Sequence, residues 1–449
     1  MPVNDIFRAY DVRGSVPDQL DEDVMARIGA GFARVLQEDG EQKVVVGRDV
    51  RDSSPGLEEA LVRGLTGQGV DVTDAGLVPY GPALFHGREN TLPSAYITAS
   101  HLEQGYNGVK FAHPDGTGYV QEENDAVREN MPGQVETGGD GGVEEVDVLA
   151  PYQRHLLGLV DLDGLDVVVD PGNGAASIVA ADTFWKAGAT TECMHCDPDG
   201  SFPNRPSDVT SANLQALRDM MADGDRDIGV AYDGDADRLA VVDDTGRVLS
   251  AEQTAAVVMQ HILPEEDGPV VANVECSRLI EDVAQEYGAE VVRTRVGHSY
   301  LFREVLAGEA CLGVEKSRHM AVSRIFPLDD AVAASLAVAD AVNQLDRSLS
   351  AAVDDLPVYE RDRISFDAPA DRKFEIVEQL QQELSDEYGD TDTTDGVRVE
   401  LEEGWVLVRA SNTSPVIRLT VEAETQEDFE ELKEEFSRRV QGLIDSSQG

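Results

Sequence analysis

Residues 44–54 read VVVGRDVRDSS. A β-branched run gives way to a polar loop, an amphipathic helix follows to about residue 67, and a glycine then opens a second strand, GVDVTDAGLVP (69–79). The same plan returns at 167–177, VVVDPGNGAAS, with GATTECMHCDPDG at 188–200. It returns again at 270–288, VVANVECSRLIEDVAQEYG, with EVVRTRVG at 290–297. Three copies of one plan predict three related α/β domains. Strands that read as continuous apolar runs between helices belong in mixed or parallel sheets, and ligands of such sheets gather at loops beyond the strand ends.

Working outward from these copies, glycine-rich or acidic stretches at 133–147, 243–250 and 354–363 mark the joints. The expected domains are 1–148, 149–248, 249–357 and 358–449. The fourth breaks the plan. It has a helix near 372–388, two strands around a turn in WVLVRASNTSPVIRLTVEAE (405–424), and a charged helix from about 426 to 443. The expected class is therefore α/β, with three related mixed-sheet domains plus a smaller C-terminal α+β domain. A length of 449 residues suits that division.

The chain carries 87 acidic against 36 basic residues, a net charge of −51. Like charges repel, so neither nucleic acid nor an anionic membrane is an expected partner. Any bound anion needs a local cluster of cations. Apolar residues make up 41% of the chain, so the acidity does not signal disorder. Only six lysines occur: Lys43, Lys110, Lys186, Lys316, Lys373 and Lys433. Carboxylates in place of surface lysines fit a salt-rich cytoplasm, where screening over ~3 Å at 1 M removes self-repulsion. Unfolding measured against KCl tests this: stability should rise with salt, and indifference to salt would refute it. The opening MPVNDIFRAYDVRG has no apolar segment flanked by positive charge, and no run reaches 18 apolar residues. A cytoplasmic protein is expected. Cys193 and Cys196 form a C-x-x-C that lacks a second pair or a following helix start, so they read as strand-end residues rather than a zinc or redox centre.

Five stretches concentrate chemistry. TASHLEQGYNGVK (98–110) sets Ser100 beside His101, with Lys110 ten positions on; a serine hydroxyl needs a proton acceptor before it can act as a nucleophile. Neither G-x-S-x-G nor S-x-x-K surrounds it. DGDADR (233–238) places Asp233, Asp235 and Asp237 two apart after an apolar run, so a turn there brings three hard oxygen donors together for a divalent cation, most plausibly Mg²⁺. Arg238 follows as a phosphate fork. The EF-hand pattern is absent, since position 6 lacks glycine and position 12 lacks glutamate. GVEKSRH (313–319) offers Glu315, Ser317 and His319 on alternate positions, suited to sugar hydroxyls. RASNTSPVIR (409–418) flanks the turn residues Ser411, Asn412, Thr413 and Ser414 with Arg409 and Arg418, a setting for one phosphate provided both arginines face the turn.

Together with FRAYDVRG (7–14) and in this order, these stretches resemble the α-D-phosphohexomutase family over essentially the whole chain. That family includes phosphomannomutase/phosphoglucomutase and phosphoglucosamine mutase. The resemblance implies four domains around a central cleft, each giving one loop. It implies that Ser100 is phosphorylated in the resting enzyme and holds Mg²⁺ jointly with Asp233, Asp235 and Asp237. Arg238 steadies the phosphoryl group, while Arg13, His101 and Lys110 assist proton transfer, Lys110 curling back to meet the serine. Glu315, Ser317 and His319 hold the sugar. Arg409, Ser411, Asn412, Thr413 and Arg418 hold the phosphate that does not react.

The implied activity interconverts hexose 1-phosphate and hexose 6-phosphate, of glucose or mannose, through a hexose 1,6-bisphosphate, which is also a candidate activator. The alternatives are a phosphoglucosamine mutase or a sugar-phosphate-binding relative without turnover. Hexose phosphates are the expected partners, and the expected state is a monomer or small homo-oligomer. The chain departs from the family pattern at Leu102 and Glu103, where Asn-Pro is usual, and at Val314 and Arg318, where glycines are usual. Arg318 is expected to crowd the sugar or add a charge beside it.

Overall fold

The computed structural model describes residues 3–135, 138–389, 391–411 and 414–447. The first sheet contains β1 (Val12–Ser15), β2 (Lys43–Arg48), β3 (Asp71–Leu77), β4 (Ser94–Ile97), β5 (Tyr106–Ala112) and β6 (Val143–Glu145). The second contains β7 (Asp166–Asp170), β8 (Thr190–Cys193), β9 (Ile228–Tyr232) and β10 (Leu239–Asp243). The third contains β11 (Val270–Asn273), β12 (Val291–Thr294), β13 (Leu312–Val314) and β14 (Met320–Val322). The fourth contains β15 (Glu360–Asp367), β16 (Thr391–Asp392), β17 (Val397–Glu400), β18 (Gly404–Ala410) and β19 (Val416–Ala423).

The three repeated runs become β2, β7 and β11, each the central parallel strand of its sheet. The strand orders are superimposable. β5-β4-β2-β3, β10-β9-β7-β8 and β14-β13-β11-β12 share one pattern, in which three parallel strands end in an antiparallel neighbour. The first sheet adds β1 and β6 at its edges. The central strands are buried on both faces, as an α/β layer requires. The fourth sheet is antiparallel throughout, ordered β15-β19-β18-β17-β16. The expected class is confirmed.

The apolar packing divides unevenly. One cluster runs through the second and third sheets and takes in the helix Tyr80–Asn90 from the first unit. Its joint is the helix Ala331–Asn343, apolar and buried nearly all round, which packs on β9, β10 and β14. Asp330 caps that helix, accepting from the amides of Val332 and Ala333, and also accepts the Tyr152 hydroxyl at 2.6 Å. The C-terminal unit has a core of its own beneath the helices Lys373–Tyr388 and Gln426–Ser447. Its opposite sheet face meets the third unit mainly through charge. Arg361 pairs with Glu252 at 2.7 Å, Arg409 with Glu275 at 2.9 Å, and Arg398 donates to the carbonyls of Val274 and Cys276. Only Val274, Trp405 and Leu407, with Val296, form an apolar patch there. Such polar seams part more readily than apolar ones.

Cys193 ends β8 as expected, but it is joined to Cys196 by a disulfide, which the sequence pattern did not lead us to expect; their Cα atoms lie 6.1 Å apart, within disulfide reach. Among the described residues, no helix is long and apolar enough to cross a membrane.

Candidate active site

Topological equivalence extends to the chemistry. The stretch with Ser100 joins β4 to β5, the acidic stretch 233–238 joins β9 to β10, and 315–319 joins β13 to β14. Each is the turn from the last parallel strand into its antiparallel neighbour, so one position in the fold is used three times. Each turn also holds one residue other than glycine in the left-handed region: Ser100 at φ +50°, Ala236 at +61° and Arg318 at +79°. Side chains avoid that region unless their surroundings impose it, and functional loops are where such strain concentrates.

The surroundings of Ser100 are explicit. Its amide donates to the Thr98 hydroxyl at 2.8 Å, and that hydroxyl lies 2.9 Å from Asp49 and 3.1 Å from Asp235. The fully buried guanidinium of Arg51 holds the loop from beneath. It donates to the carbonyls of Ser100 (2.8 Å), Leu102 (2.6 Å), Glu103 (2.7 Å) and Tyr106 (3.0 Å), and Asp49 balances its charge at 3.1 Å. Arg205 braces the second unit in the same way, pairing with Asp170 at 2.9 Å and donating to the carbonyl of Tyr232, next to the acidic loop. The sequence reasoning missed both arginines. Arg51 stands in the first stretch quoted, but its partners lie about fifty positions away.

The two loops meet closely. Ser100 donates its hydroxyl proton to Asp233 at 2.7 Å, and its oxygen lies 3.3 Å from His101 Nδ1. A Cβ at Gly234 would fall 2.6 Å from the Ser100 carbonyl oxygen, so any side chain there would force the loops apart. Burial, reinforced by Arg238 and Arg13, holds His101 far below the usual imidazole range. It is therefore neutral.

Asp233, Asp235 and Asp237 are buried, with candidate ligand oxygens within 4.8 Å of one another. Burial, then Asp237 and Asp235, push Asp233 well above the ordinary carboxylate range. Burial would do the same to Asp237, but Lys110, His319 and Arg238 outweigh it and hold that group well below. Asp235 Oδ1 and Asp237 Oδ1 lack hydrogen-bond partners. Crowded hard oxygens with unsatisfied lone pairs fit a small divalent cation.

Lys110 differs from expectation. Its buried ammonium does not curl back to Ser100; it is held by Asp235 at 2.8 Å and by Asp237, above the Tyr80 ring. Three carboxylates without water need a counter-charge, and Lys110 on β5 is the cation that reaches them.

A single cavity collects the loops of the first three units, with Arg13, His101, Asp237, Arg238, Glu315, Ser317 and His319 all in its wall. Arg13 pairs with Asp11 at 2.6 Å. Arg238 Nε lies 3.2 Å from His319 Nε2 and His319 Nδ1 lies 2.9 Å from Asp329; burial opposes a charge on His319, but Asp329 and Asp237 outweigh it and raise the imidazole above its usual range. Among the described residues Glu315 Oε2 and Ser317 Oγ have no partner. Arg318 is a correction. It is not part of the cavity wall, because its left-handed backbone lets the guanidinium reach the Leu249 carbonyl at 3.0 Å while its own carbonyl accepts from Leu239. It ties the loop to the second unit instead of crowding the cavity. Val314 is core, fully buried in β13.

In the C-terminal unit, Arg409 and Arg418 sit directly opposite one another on β18 and β19, so both side chains share one sheet face. Ser411 is buried and its hydroxyl lacks a partner among the described residues; Asn412 and Thr413 lie outside them. Lys373, also missed in the sequence, holds the turn by donating to the carbonyls of Ser411 and Ser414. Neither arginine belongs to the cavity wall. Arg409 borders it through Asp395, 3.7 Å away, which accepts from the amide of cavity residue Val296.

Comparison with known proteins covers the chain from end to end. Four family descriptions match: phosphoglucomutase/phosphomannomutase alpha/beta/alpha domain I over residues 4–136, domain II over 150–246, domain III over 250–359, and the C-terminal domain over 366–439. A probable phosphoglucosamine mutase of Methanopyrus kandleri is 34% identical, the match covering 98% of each chain. A phosphomannomutase/phosphoglucomutase of Pseudomonas aeruginosa is 33% identical over 98% of this chain and 96% of the relative. The crystal structure of a phosphoglucomutase/phosphomannomutase family protein from Burkholderia thailandensis superimposes with a TM-score of 0.90 at 29% identity, covering 99% of this chain and 98% of that one.

Proposed function

Because the chain belongs to the phosphoglucomutase/phosphomannomutase family and is a phosphohexose mutase, an isomerase, we propose that it interconverts hexose 1-phosphate and hexose 6-phosphate through a phosphoserine at Ser100. Glucose and mannose are the proposed hexoses. The observation that carries this reading is the contact of the Ser100 hydroxyl with Asp233 at 2.7 Å inside an acidic triad whose Asp237 lines the cavity together with Glu315, Ser317 and His319. The proposed domains are 1–148, 149–248, 249–357 and 358–449, each holding one of the four sheets.

In the forward direction the O6 hydroxyl of a hexose 1-phosphate attacks phosphorus, the Ser100 Oγ–P bond breaks, and the sugar becomes a 1,6-bisphosphate. The bisphosphate then turns over in the cleft, its O1–P bond breaks, and Ser100 regains a phosphoryl group. His101, 3.3 Å from the serine oxygen, is assigned to proton transfer at that atom, where the charge of a phosphoserine would favour the imidazolium that burial disfavours without it. Arg238 and Arg13 supply positive charge next to the transferring group, and Glu315 and Ser317 offer open acceptors to sugar hydroxyls. Arg409, Ser411 and Arg418 are assigned to the phosphate at rest, with Asn412 and Thr413 proposed from their place in the same turn. Asp233, Asp235, Asp237 and the Ser100 oxygen would hold Mg²⁺, which when bound neutralises charge on the phosphoryl group in transfer. Hexose 1,6-bisphosphate is the proposed activator.

Purified protein with Mg²⁺ on glucose 1-phosphate, mannose 1-phosphate and glucosamine 1-phosphate provides the test. We expect 6-phosphate from the first two. Turnover of glucosamine 1-phosphate alone would favour the second reading, a phosphoglucosamine mutase, which the 34% identical Methanopyrus relative supports. Release of inorganic phosphate without isomerisation would contradict the proposal.

A further inference from the structure

Lys316 stands between the two cavity residues Glu315 and Ser317, half-buried, and its ammonium has no hydrogen bond or ion pair among the described residues. A half-buried lysine in a chain with only six of them, with no carboxylate at ion-pair distance among the described residues in a chain of net charge −51, is an oddity. Its surroundings are charged from two sides. From the third unit come Glu252 and Glu275; from β15 come Arg361, Arg363 and, further out, Asp362. Glu275 is the hub. It holds Arg409 at 2.9 Å and lies 3.9 Å from Arg363, and Lys316 acts on the same carboxylate. Arg418, opposite Arg409, is likewise half-buried and makes no ion pair among the described residues. Glu252 is already engaged by Arg361 at 2.7 Å. Lys316, Arg363, Arg409 and Arg418 therefore converge on one seam with Glu275 and Asp395 as the nearby carboxylates, and an excess of cations, all but the exposed Arg363 at least half-buried, is a site for a dianion.

We propose that Lys316, reaching from the sugar-side loop, binds the resting phosphate of the substrate together with Arg363, Arg409 and Arg418, so that the phosphate is gripped across the seam between the third and fourth units. The proposal rests on the reading of the turn as a phosphate site and adds a ligand from the opposite unit. Grip from both sides ties sugar placement to phosphate placement, because Glu315 and Ser317 flank the same lysine. Electrostatics supports it: burial, followed by Arg361, pulls Lys316 down to about 8, with Glu275 and Glu252 opposing and Arg363 adding to the fall. Below that value the ammonium is charged and binds an anion; as pH rises through it, the charge and its share of the binding are lost.

Sulfate is the probe, because its charge is constant over this pH range, and calorimetric titration of the full chain needs no turnover. Wild-type affinity is expected to fall by up to about tenfold between about pH 7 and pH 9. Lys316→Met should bind about tenfold more weakly at the lower pH with no such slope, and Lys316→Arg should bind tightly at both, since guanidinium stays charged. In the assay, Lys316→Met should raise KM about tenfold with a smaller change in kcat. Wild-type affinity and slope in Lys316→Met, or an arginine variant as weak as the methionine one, would overturn the proposal. A protein inert toward hexose phosphates whose sulfate binding still follows Lys316 would instead sink the mutase reading and leave this one standing.

Discussion

Ser100→Ala is expected to lower kcat by roughly four orders of magnitude or more, and to remove from the intact protein the mass of one phosphate that the wild type carries. The serine oxygen is the atom through which every turnover passes in this account, and among the described residues no other hydroxyl beside the acidic triad is placed to substitute. The Thr98 hydroxyl is already committed to Asp49, Asp235 and the Ser100 amide. Folding should survive the change. Alanine is no less tolerant of φ +50° than serine, the Arg51 clamp holds backbone carbonyls that the substitution leaves in place, and the loss is one hydrogen bond to Asp233, worth about 1 kcal/mol. Kinetics and intact mass check this together. Turnover within tenfold of wild type, or an unchanged phosphorylated mass, would count against the serine.

Asp235→Asn should cost less than the serine change but still dominate the remaining variants, with kcat/KM down about a thousandfold and Mg²⁺ affinity down about a hundredfold. One hard, charged ligand becomes a neutral amide at a point where Asp235 Oδ1 has no partner among the described residues. The same change relieves repulsion, since Asp235 is among the neighbours that push Asp233 upward. Loss of the buried Lys110 pair outweighs that relief, so the metal-free variant should unfold earlier than the metal-free wild type, and the rise in Tm that Mg²⁺ gives the wild type through binding to the native state should be absent. Thermal unfolding with and without Mg²⁺ reads both. A variant that keeps the wild-type rise in Tm would show that the ion is held elsewhere.

The residues that proved hardest to read from the sequence share a physical cause. Periodicity exposes a buried strand, so β2, β7 and β11 are visible as valine runs, and their repetition announces related units. What it does not expose is a side chain whose partners are backbone atoms of a distant loop. Arg51 looks like one more charge after a strand, yet it gathers four carbonyls between Ser100 and Tyr106. Lys373 looks like the first residue of a helix, yet it secures the turn after β18. Lys110 was expected at the serine because spacing places it in the same loop; the need of Asp235 and Asp237 for a counter-charge decides where it goes. Arg318 was expected beside the sugar because family members carry glycine there. Its positive φ is the reason glycine is usual, and the same φ turns the arginine away. The shared position of the three loops, each between a parallel strand and an antiparallel one, becomes apparent only once strand order is known.

The most direct measurement follows a label. Full-length protein carrying unlabelled phosphate is mixed with one equivalent of hexose 1-phosphate bearing an isotopically labelled phosphoryl group, and the first turnover is stopped and mapped. The account predicts that the label appears on Ser100 while the first hexose 6-phosphate released is unlabelled. Label carried straight into the product, with none on Ser100, would contradict it.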